Sequence, residues 1–436
     1  EGYPQGTFLQ LGGGEAPTGY VNYSNERKTY FSDIGGVVIP TATNGIASSF
    51  STATYPNESY WFNESSRMIF DHRYWNIAYM GKNNKFYKST DGGGSFAPIA
   101  SVGSGASNLV LWIEQSRVDP NIFYAQLVVG NVSQLKKSTD NGLTWSTVTI
   151  PQTNKRNIFF CLSSTNENEL WLGYTAGSNG NKVYKTTNAG LNWTNITDAN
   201  LDGKEIYSMC HQIGTNGGVY LAMKNGSAFY KNNSMANWDD FSTGLPVITH
   251  PINMLPFYKG EKVRLANAGI GIWESPFYEP SSVVVDFSAD YATYYCPGDS
   301  IHFVDHSVVP AGATYQWTFP GGSPSSSTLK YPAVQYNTAG TFDATLVLTY
   351  NGQSYTITKT GVVSTQGIDA LPVSENFENN ALPQTWKFYD DAQNFVNWAY
   401  CDYTSGYGSG DNCMFFDNYY NDVQGKKDAI WTAKYD

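Results

Sequence analysis

Five histidines, six arginines and a spread of carboxylates are the groups of this chain that could do chemistry. Hydrolysis by zinc would need a His-Glu-x-x-His pair on a helix. None of His72, His211, His250, His302 and His306 lies in one. His302 and His306 are four apart but in strand-like sequence, where side chains at that spacing need not meet. No Gly-x-Ser-x-Gly elbow, phosphate-binding glycine loop or zinc-type cysteine set is present. Clamping a substrate carboxylate would take three arginines with a tyrosine nucleophile and an acid. Arg67, Arg73 and Arg117 sit in or beside a repeated frame; Arg27, Arg156 and Arg264 are the others. Cleaving a glycosidic bond would take two carboxylates across a cleft. Asp71 and Asp119 lie in the repeat frame of consecutive units, although Asp119 sits in a Val-Asp-Pro-Asn run and reads first as a turn residue. Recognition without catalysis would rest on aromatic faces that stack on sugars or anchor a protein. Tyr60 and Trp61 lie in one connection, Trp112 and Tyr207 occupy comparable places, and Arg156 joins them as a candidate ligand-binding group. Packing between sheets is the alternative role for these aromatics.

The elements that must position these residues repeat. Lys88-Ser89-Thr90-Asp91-Gly92-Gly93-Gly94-Ser95-Phe96 aligns with Lys137-Ser138-Thr139-Asp140-Asn141-Gly142-Leu143-Thr144-Trp145 and with Lys185-Thr186-Thr187-Asn188-Ala189-Gly190-Leu191-Asn192-Trp193, spaced by 49 and 48 residues. A degraded copy runs from Lys231 to Trp238. The pattern predicts a hairpin turn. Asp or Asn accepts from turn amides, Gly supplies a positive φ, and Trp or Phe plugs the hairpin. A second frame keeps the same period through Met68–Met80, Ile113–Ala125, Cys161–Gly173, Cys210–Ala222 and Met254–Ala266. Each reads as strand, turn and strand, followed by a hairpin and a further strand. Four short strands per unit of roughly 45 residues describe a propeller blade. A further unit is suggested by Tyr20–Gly36, and seven blades are favoured for the ring.

Composition agrees with an all-β chain. Of 436 residues, 14% are charged and 15% aromatic, with 42 glycines. Few charges, many aromatics and frequent Gly turns suit short strands better than helices. A net charge of -11 repels phosphate backbones, which argues against nucleic acid as a partner. No run of 18 apolar residues exists, so no membrane-spanning helix is predicted. Cys161 and Cys210 head the same frame position in successive units and read as two buried thiols; Cys296 has no evident partner. Cys401 and Cys413 could close a small disulfide loop or stay unpaired.

The repeated turn resembles that of Asp-box (BNR, sortilin-like) propellers, over about 19–278. On that resemblance Ser89, Asp91, Gly93, Phe96, Ser138, Asp140, Gly142, Trp145, Thr186, Asn188, Gly190 and Trp193 are structural box residues. Asp-box propellers host unrelated activities, so the resemblance implies architecture before function. Tyr315-Gln316-Trp317-Thr318-Phe319-Pro320-Gly321-Gly322, with Tyr336, Gly340 and Phe342–Leu348, resembles the core strands of Ig-like PKD sandwiches. It implies Trp317 at the centre of a core and a spacer or protein-contact role. The stretch from Leu371-Pro372-Val373-Ser374-Glu375-Asn376-Phe377-Glu378 through Leu382–Trp386, Met414–Asn418 and Lys427–Thr432 resembles the first half of a MAM-like, cleaved-adhesin jelly-roll. That family implies Ca²⁺ held by Glu375, Glu378, Asp417 and Asp428, or else four ordinary surface acids.

The expected organisation is a propeller over 1–280, a PKD-like sandwich over 281–364 and a partial jelly-roll over 371–436. This order resembles secreted surface proteins of Bacteroidota, whose export by the type IX secretion system uses a sorting domain that would lie beyond Asp436. The expected function is recognition or adhesion at the cell surface, outside the cell or attached to the outer membrane, with a glycan or protein ligand. A glycan-acting hydrolase, or the accessory region of a larger secreted protease, is the alternative.

Overall fold

The computed structural model describes residues 66–365, except 67, 91, 93–95, 225, 247–250, 268–270, 292 and 295–299. At 293–294, and within 19–53 and 387–431, it describes strand backbone only. The first sheet comprises β1 (Gly19–Asn22), β2 (Asn25–Asp33), β3 (Gly36–Thr43) and β4 (Ile46–Ala53). The second comprises β5 (Ile69–Phe70), β6 (Ala78–Lys82), β7 (Lys85–Ser89) and β8 (Ala97–Ser101). The third holds β9 (Leu109–Gln115), β10 (Phe123–Val129), β11 (Val132–Ser138) and β12 (Ser146–Val148). The fourth holds β13 (Ile158–Leu162), β14 (Leu170–Tyr174), β15 (Val183–Thr186) and β16 (Thr194–Asn195). The fifth holds β17 (Ile206–His211), β18 (Val219–Met223), β19 (Ser227–Lys231) and β20 (Asp239–Asp240). The sixth has β21 (Pro251–Phe257), β22 (Lys262–Asn267) and β23 (Gly271–Pro276). Every sheet runs up and down in chain order.

Burial in the fourth and fifth sheets falls from the second strand outward. Leu170–Tyr174 and Val219–Met223 are buried at every position, whereas the outermost strands β16 and β20 are exposed. A strand covered on both faces reads as a continuous apolar run rather than an alternating one. The cores lie between neighbouring sheets. Tyr79 and Phe86 pack with Val110, Ile113 and Phe123; Tyr124 with Phe160 and Leu172; Trp171 with Met209 and Leu221; Tyr220 with Met254 and Leu265. First strands β9, β13, β17 and β21 follow one another as spatial neighbours. Sheets stacked face to face, with first strands adjacent and last strands outside, are propeller blades. Close approach requires small residues. A Cβ on Gly173 would stand 2.8 Å from Met209 Cε, in the next sheet.

The second unit is a sandwich. β24 (Phe287–Ala289), β26 (Ser300–Asp305), β30 (Ala333–Tyr336) and β28 (Gly322–Ser323) form one sheet in that order. β25 (Thr293–Tyr294), β32 (Gln353–Thr365), β31 (Gly340–Tyr350), β27 (Thr314–Thr318) and β29 (Ser326–Ser327) form the other. Trp317 is wholly buried between them, against Phe287 at 5.2 Å and Phe319 at 5.7 Å. Burying a side chain of that size contributes about 2–3 kcal/mol. Farther on, Trp398–Cys401 pairs antiparallel with Cys413–Phe416, and Cys401 is opposite Cys413 in register.

The two units are joined by backbone hydrogen bonds. Trp75 N–H donates to Ala289 O (3.0 Å), Ala289 N–H to Arg73 O (3.1 Å) and Ser282 N–H to Gly214 O (2.7 Å). Tyr74 packs against the sandwich core. The connecting strap, 276–286, lies along the fifth sheet. Tyr278 stacks on Tyr230 at 4.4 Å, and Glu279 accepts from Tyr230 Oη (2.7 Å) and Asn232 Nδ2 (3.0 Å). A module expected as a spacer is therefore seated on the propeller.

Candidate functional site

Each blade ends in two sets of turns. The turns between first and second strands, and the repeated turns between third and fourth, lie at one end; the remaining connections lie at the other. The sandwich sits on the first set, at Arg73–Asn76, Arg117, Gly214 and Lys259.

In the third sheet's repeated turn, Asp140 Oδ1 accepts from Thr144 N–H (2.9 Å), and Ser138 Oγ accepts from Gly142 N–H (2.9 Å). Asp140 also accepts from Thr144 Oγ1 (2.5 Å) and Ser138 Oγ (2.7 Å), and the bonds from these two residues hold its carboxyl down to about 2. In the fourth sheet, Asn188 Oδ1 accepts from Asn192 N–H and Thr186 Oγ1 from Gly190 N–H, at 2.9 and 3.0 Å. Gly142 and Gly190 have φ of +85° and +88°, and Asn141 and Ala189 before them are also left-handed. The aromatic residue does more than plug its own hairpin. Trp145 meets Phe86 of the preceding sheet edge-on at 5.2 Å; Trp193 Nε1–H donates to Thr149 O and Trp238 Nε1–H to Ile196 O, each in the connection leaving the preceding sheet. Ser89 and Phe96 are buried in the second sheet; Asp91 and Gly93 lie outside the described residues.

The candidate acids are already engaged. Asp71 is 2% exposed. Its Oδ2 accepts from Arg73 Nη2 (2.9 Å), Gln115 Nε2 (2.9 Å) and Tyr79 Oη (3.1 Å), and its Oδ1 from Arg73 N–H (2.8 Å). Burial works to raise this carboxyl, but the Arg73 guanidinium and these donors outweigh it and hold it below the usual range. Arg73 also donates to Asn121 and Asn141 of the third sheet, so it ties two blades together. Asp119 Oδ1 accepts from Asn121 N–H (3.0 Å) as a turn residue. His211 stacks on Trp171 at 5.2 Å, donates from Nδ1 to Gly218 O and receives Ser164 Oγ at Nε2. Burial holds it down at about 4, and neutral. His302 pairs with Asp290, whereas His306 meets Ser288, so the two do not share a partner. Cys161 and Cys210 are buried thiols, and burial raises Cys161 well above its usual value.

Of the candidate ligand-binding residues, Trp112, Arg156 and Tyr207 are described. Trp112 packs edge-on against Phe159 at 6.3 Å and donates from Nε1 to Glu114. Arg156 is exposed and donates to Gly130 O (3.2 Å). Tyr207 is half-buried, with Lys224 Nζ at 5.9 Å from its ring. Tyr60, Trp61, Glu375, Glu378, Asp417 and the side chain of Asp428 lie outside the described residues. A concavity that the residue pattern did not suggest lies between the third and fourth sheets. It is an open groove of about 600 Å³ lined by Lys137, Thr147, Thr149, Asn168, Asn188 and Leu191, among others, none of them a carboxylate among the described residues. Its one sequence signal is Leu191, at the tip of a repeated turn and 83% exposed.

No family model and no curated protein sequence matches the chain. It is similar in structure to an ancestral GH74 enzyme, at TM-score 0.47 and 15% identity, covering 84% of this chain and 52% of that one. It is also similar to the GH74 xyloglucanase of Xanthomonas campestris, at 0.44 and 14%, covering 59% and 44%. A third similar structure is PorZ, a surface component of the type IX secretion system of Porphyromonas gingivalis, at 0.40 and 11%, covering 78% and 58%. The chain spans about half the length of these proteins. Its assignment as a propeller rests on the sheet order and the inter-sheet cores described above.

Proposed function

We propose that this chain is the non-catalytic recognition region of a secreted or cell-surface protein, binding a glycan or a protein through its propeller. The carrying observation is that Asp71, the better placed of the two candidate acids, has its oxygens bonded to Arg73, Gln115 and Tyr79. A general acid or nucleophile needs an oxygen free to face substrate. The groove beside Leu191 supplies hydroxyls, amides and Lys137, a lining suited to sugar hydroxyls. Glycan-array binding and hydrolysis assays on the same intact protein test the reading. Binding without turnover is expected, weakened about tenfold or more by a Thr147→Trp block of the groove. Turnover that Asp71→Asn or Asp119→Asn abolishes would sink it.

The finer reading places the chain among Asp-box propellers with a PKD module and a MAM-like jelly-roll, exported by the type IX system, which reads a sorting domain outside this chain. The resemblance at 371–431 supports it. Calcium held by Glu375, Glu378, Asp417 and Asp428, and a Cys401–Cys413 disulfide, belong to the same proposal. Directly opposed strand residues are separated by about 4.5–5.5 Å between Cα atoms, within disulfide reach. Calorimetry with Ca²⁺ and alkylation mass spectrometry read the two directly. No heat of binding, or two free thiols at those positions, would remove each in turn.

A further inference from the structure

The seams between neighbouring sheets follow one plan, and one seam departs from it. The same backbone bond marks the same place in three of them: Asn141 N–H donates to Asn121 O (2.9 Å), Ala189 N–H to Asn168 O (2.8 Å) and Asn233 N–H to Asn216 O (2.9 Å). Between the second and third sheets, Asn141 Oδ1 accepts from Tyr79 Oη and Arg73 Nη2, each at 3.3 Å, and both donors also reach Asp71 Oδ2. Between the fourth and fifth, Asn233 Oδ1 accepts from Lys185 Nζ (2.8 Å), which also meets Glu169 Oε1 (2.7 Å). Between the third and fourth, Ala189 holds this place, and Ser116 and Val118 stand where the second sheet has Asp71 and Arg73.

Two donors at that seam are left without an acceptor. Tyr124 occupies the place of Tyr79, opposite the lysine of the third strand. It is wholly buried, and its Oη makes no hydrogen bond among the described residues. Lys137, its cross-strand neighbour, occupies the place of Lys185. Its Nζ lies 5.5 Å from the centre of the Tyr124 ring and makes no hydrogen bond or ion pair among the described residues. Lys137, Asn168 and Ala189 line the open groove, together with Thr147, Val148 and Leu191. The groove therefore opens at the seam where a methyl group replaces the asparagine amide.

We propose, building on the recognition reading above, that this seam binds the acetamido group of an N-acetylated sugar, whose carbonyl supplies the acceptor that Asn141 and Asn233 supply in the neighbouring seams. Lys137 Nζ donates to that carbonyl, and Tyr124 Oη joins when the flexible lysine turns into the groove. An amide carbonyl has two lone pairs and accepts both. A buried donor without an acceptor is costly to keep, so a guest that brings one relieves that cost. The acetamido methyl gains apolar cover from Val148 and Leu191, and the sugar hydroxyls meet Thr147 and Asn168. A carboxylate is the poorer guest. Burial lowers the Lys137 ammonium while Glu167 and Asp119 raise it, so an anionic sugar would gain one ammonium and face two carboxylates. A peptide carbonyl offers the same acceptor, but a lining of hydroxyls and amides favours a sugar.

Calorimetric titration of the full chain tests this, with trimers of N-acetylglucosamine, glucosamine, glucose and galacturonic acid, and with a neutral N-acetylated tetrapeptide. The acetylated trimer is expected to bind at least about tenfold more tightly than the others, as loss of a hydrogen bond to a charged donor implies. Ala189→Asn returns the acceptor at a φ of +56°, which asparagine tolerates, and should weaken that binding about tenfold or more without lowering the urea midpoint. Lys137→Met should weaken it likewise, and decides the matter should the first variant not fold. Equal binding of the acetylated and plain glucose trimers overturns the acetamido assignment while leaving glycan recognition standing. No binding of any sugar overturns both. Tighter binding of the galacturonic acid trimer, or of the peptide, overturns the assignment in favour of an anion or a protein partner. Binding of the acetylated trimer that neither variant weakens places the ligand elsewhere and overturns it too.

Discussion

Gly142 illustrates how one residue serves both its own turn and the neighbouring blade. Its φ of +85° is one that residues with a Cβ rarely adopt, and a Cβ there would stand 2.3 Å from Phe86 Cε1 of the preceding sheet. Gly130 has a φ of +61° with nothing within 4 Å of that position. The pair separates two causes. Gly130→Ala should cost about 1 kcal/mol for the backbone alone. Gly142→Ala should cost about 2 kcal/mol more, from the displaced Phe86. Urea unfolding midpoints of the two variants check this, and equal losses would show that Phe86 moves aside freely. Asp71 teaches the complementary lesson. Its type and place suggested an acid, but whether a carboxylate is reactive or structural depends on its donors, and Arg73, Gln115 and Tyr79 come from two different sheets.

Among the elements, the fifth sheet's degraded turn acquires a purpose. Where the earlier repeats carry Ser138 and Thr186, this one carries Asn232. Asn232 Oδ1 accepts from Ser234 N–H (2.9 Å), as a turn-capping side chain does, while Nδ2 reaches Glu279 of the strap. A hydroxyl could do the first but is too short for the second. Restoring the repeat with Asn232→Thr should leave the turn intact and leave the Glu279 carboxylate held by Tyr230 alone, a loss of about 1–3 kcal/mol in strap attachment. Protease cleavage within 276–286 would report it. A cutting rate unchanged from the native protein would show that Tyr278 and the backbone suffice. The same reasoning explains why the repeat looked decayed in the sheet along which the strap to the next unit runs.

For the whole molecule, the sequence by itself determined the all-β class, the period of the blades, the four-strand content of the first five sheets and the burial of Trp317. These are local properties: turn chemistry, hydrophobic runs and strand length leave their mark within ten to fifty residues of chain. Tertiary structure alone decided which residues share an environment. It set Trp112 against Phe159, spent Asp71 on Arg73 and brought Arg117 to Asp286 across 169 residues of chain. It also turned a module that reads as a spacer into one seated on the propeller. Such contacts depend on how sheets stack and how the strap folds back. Stacking is selected by packing and desolvation between segments far apart in sequence, and no short motif records it.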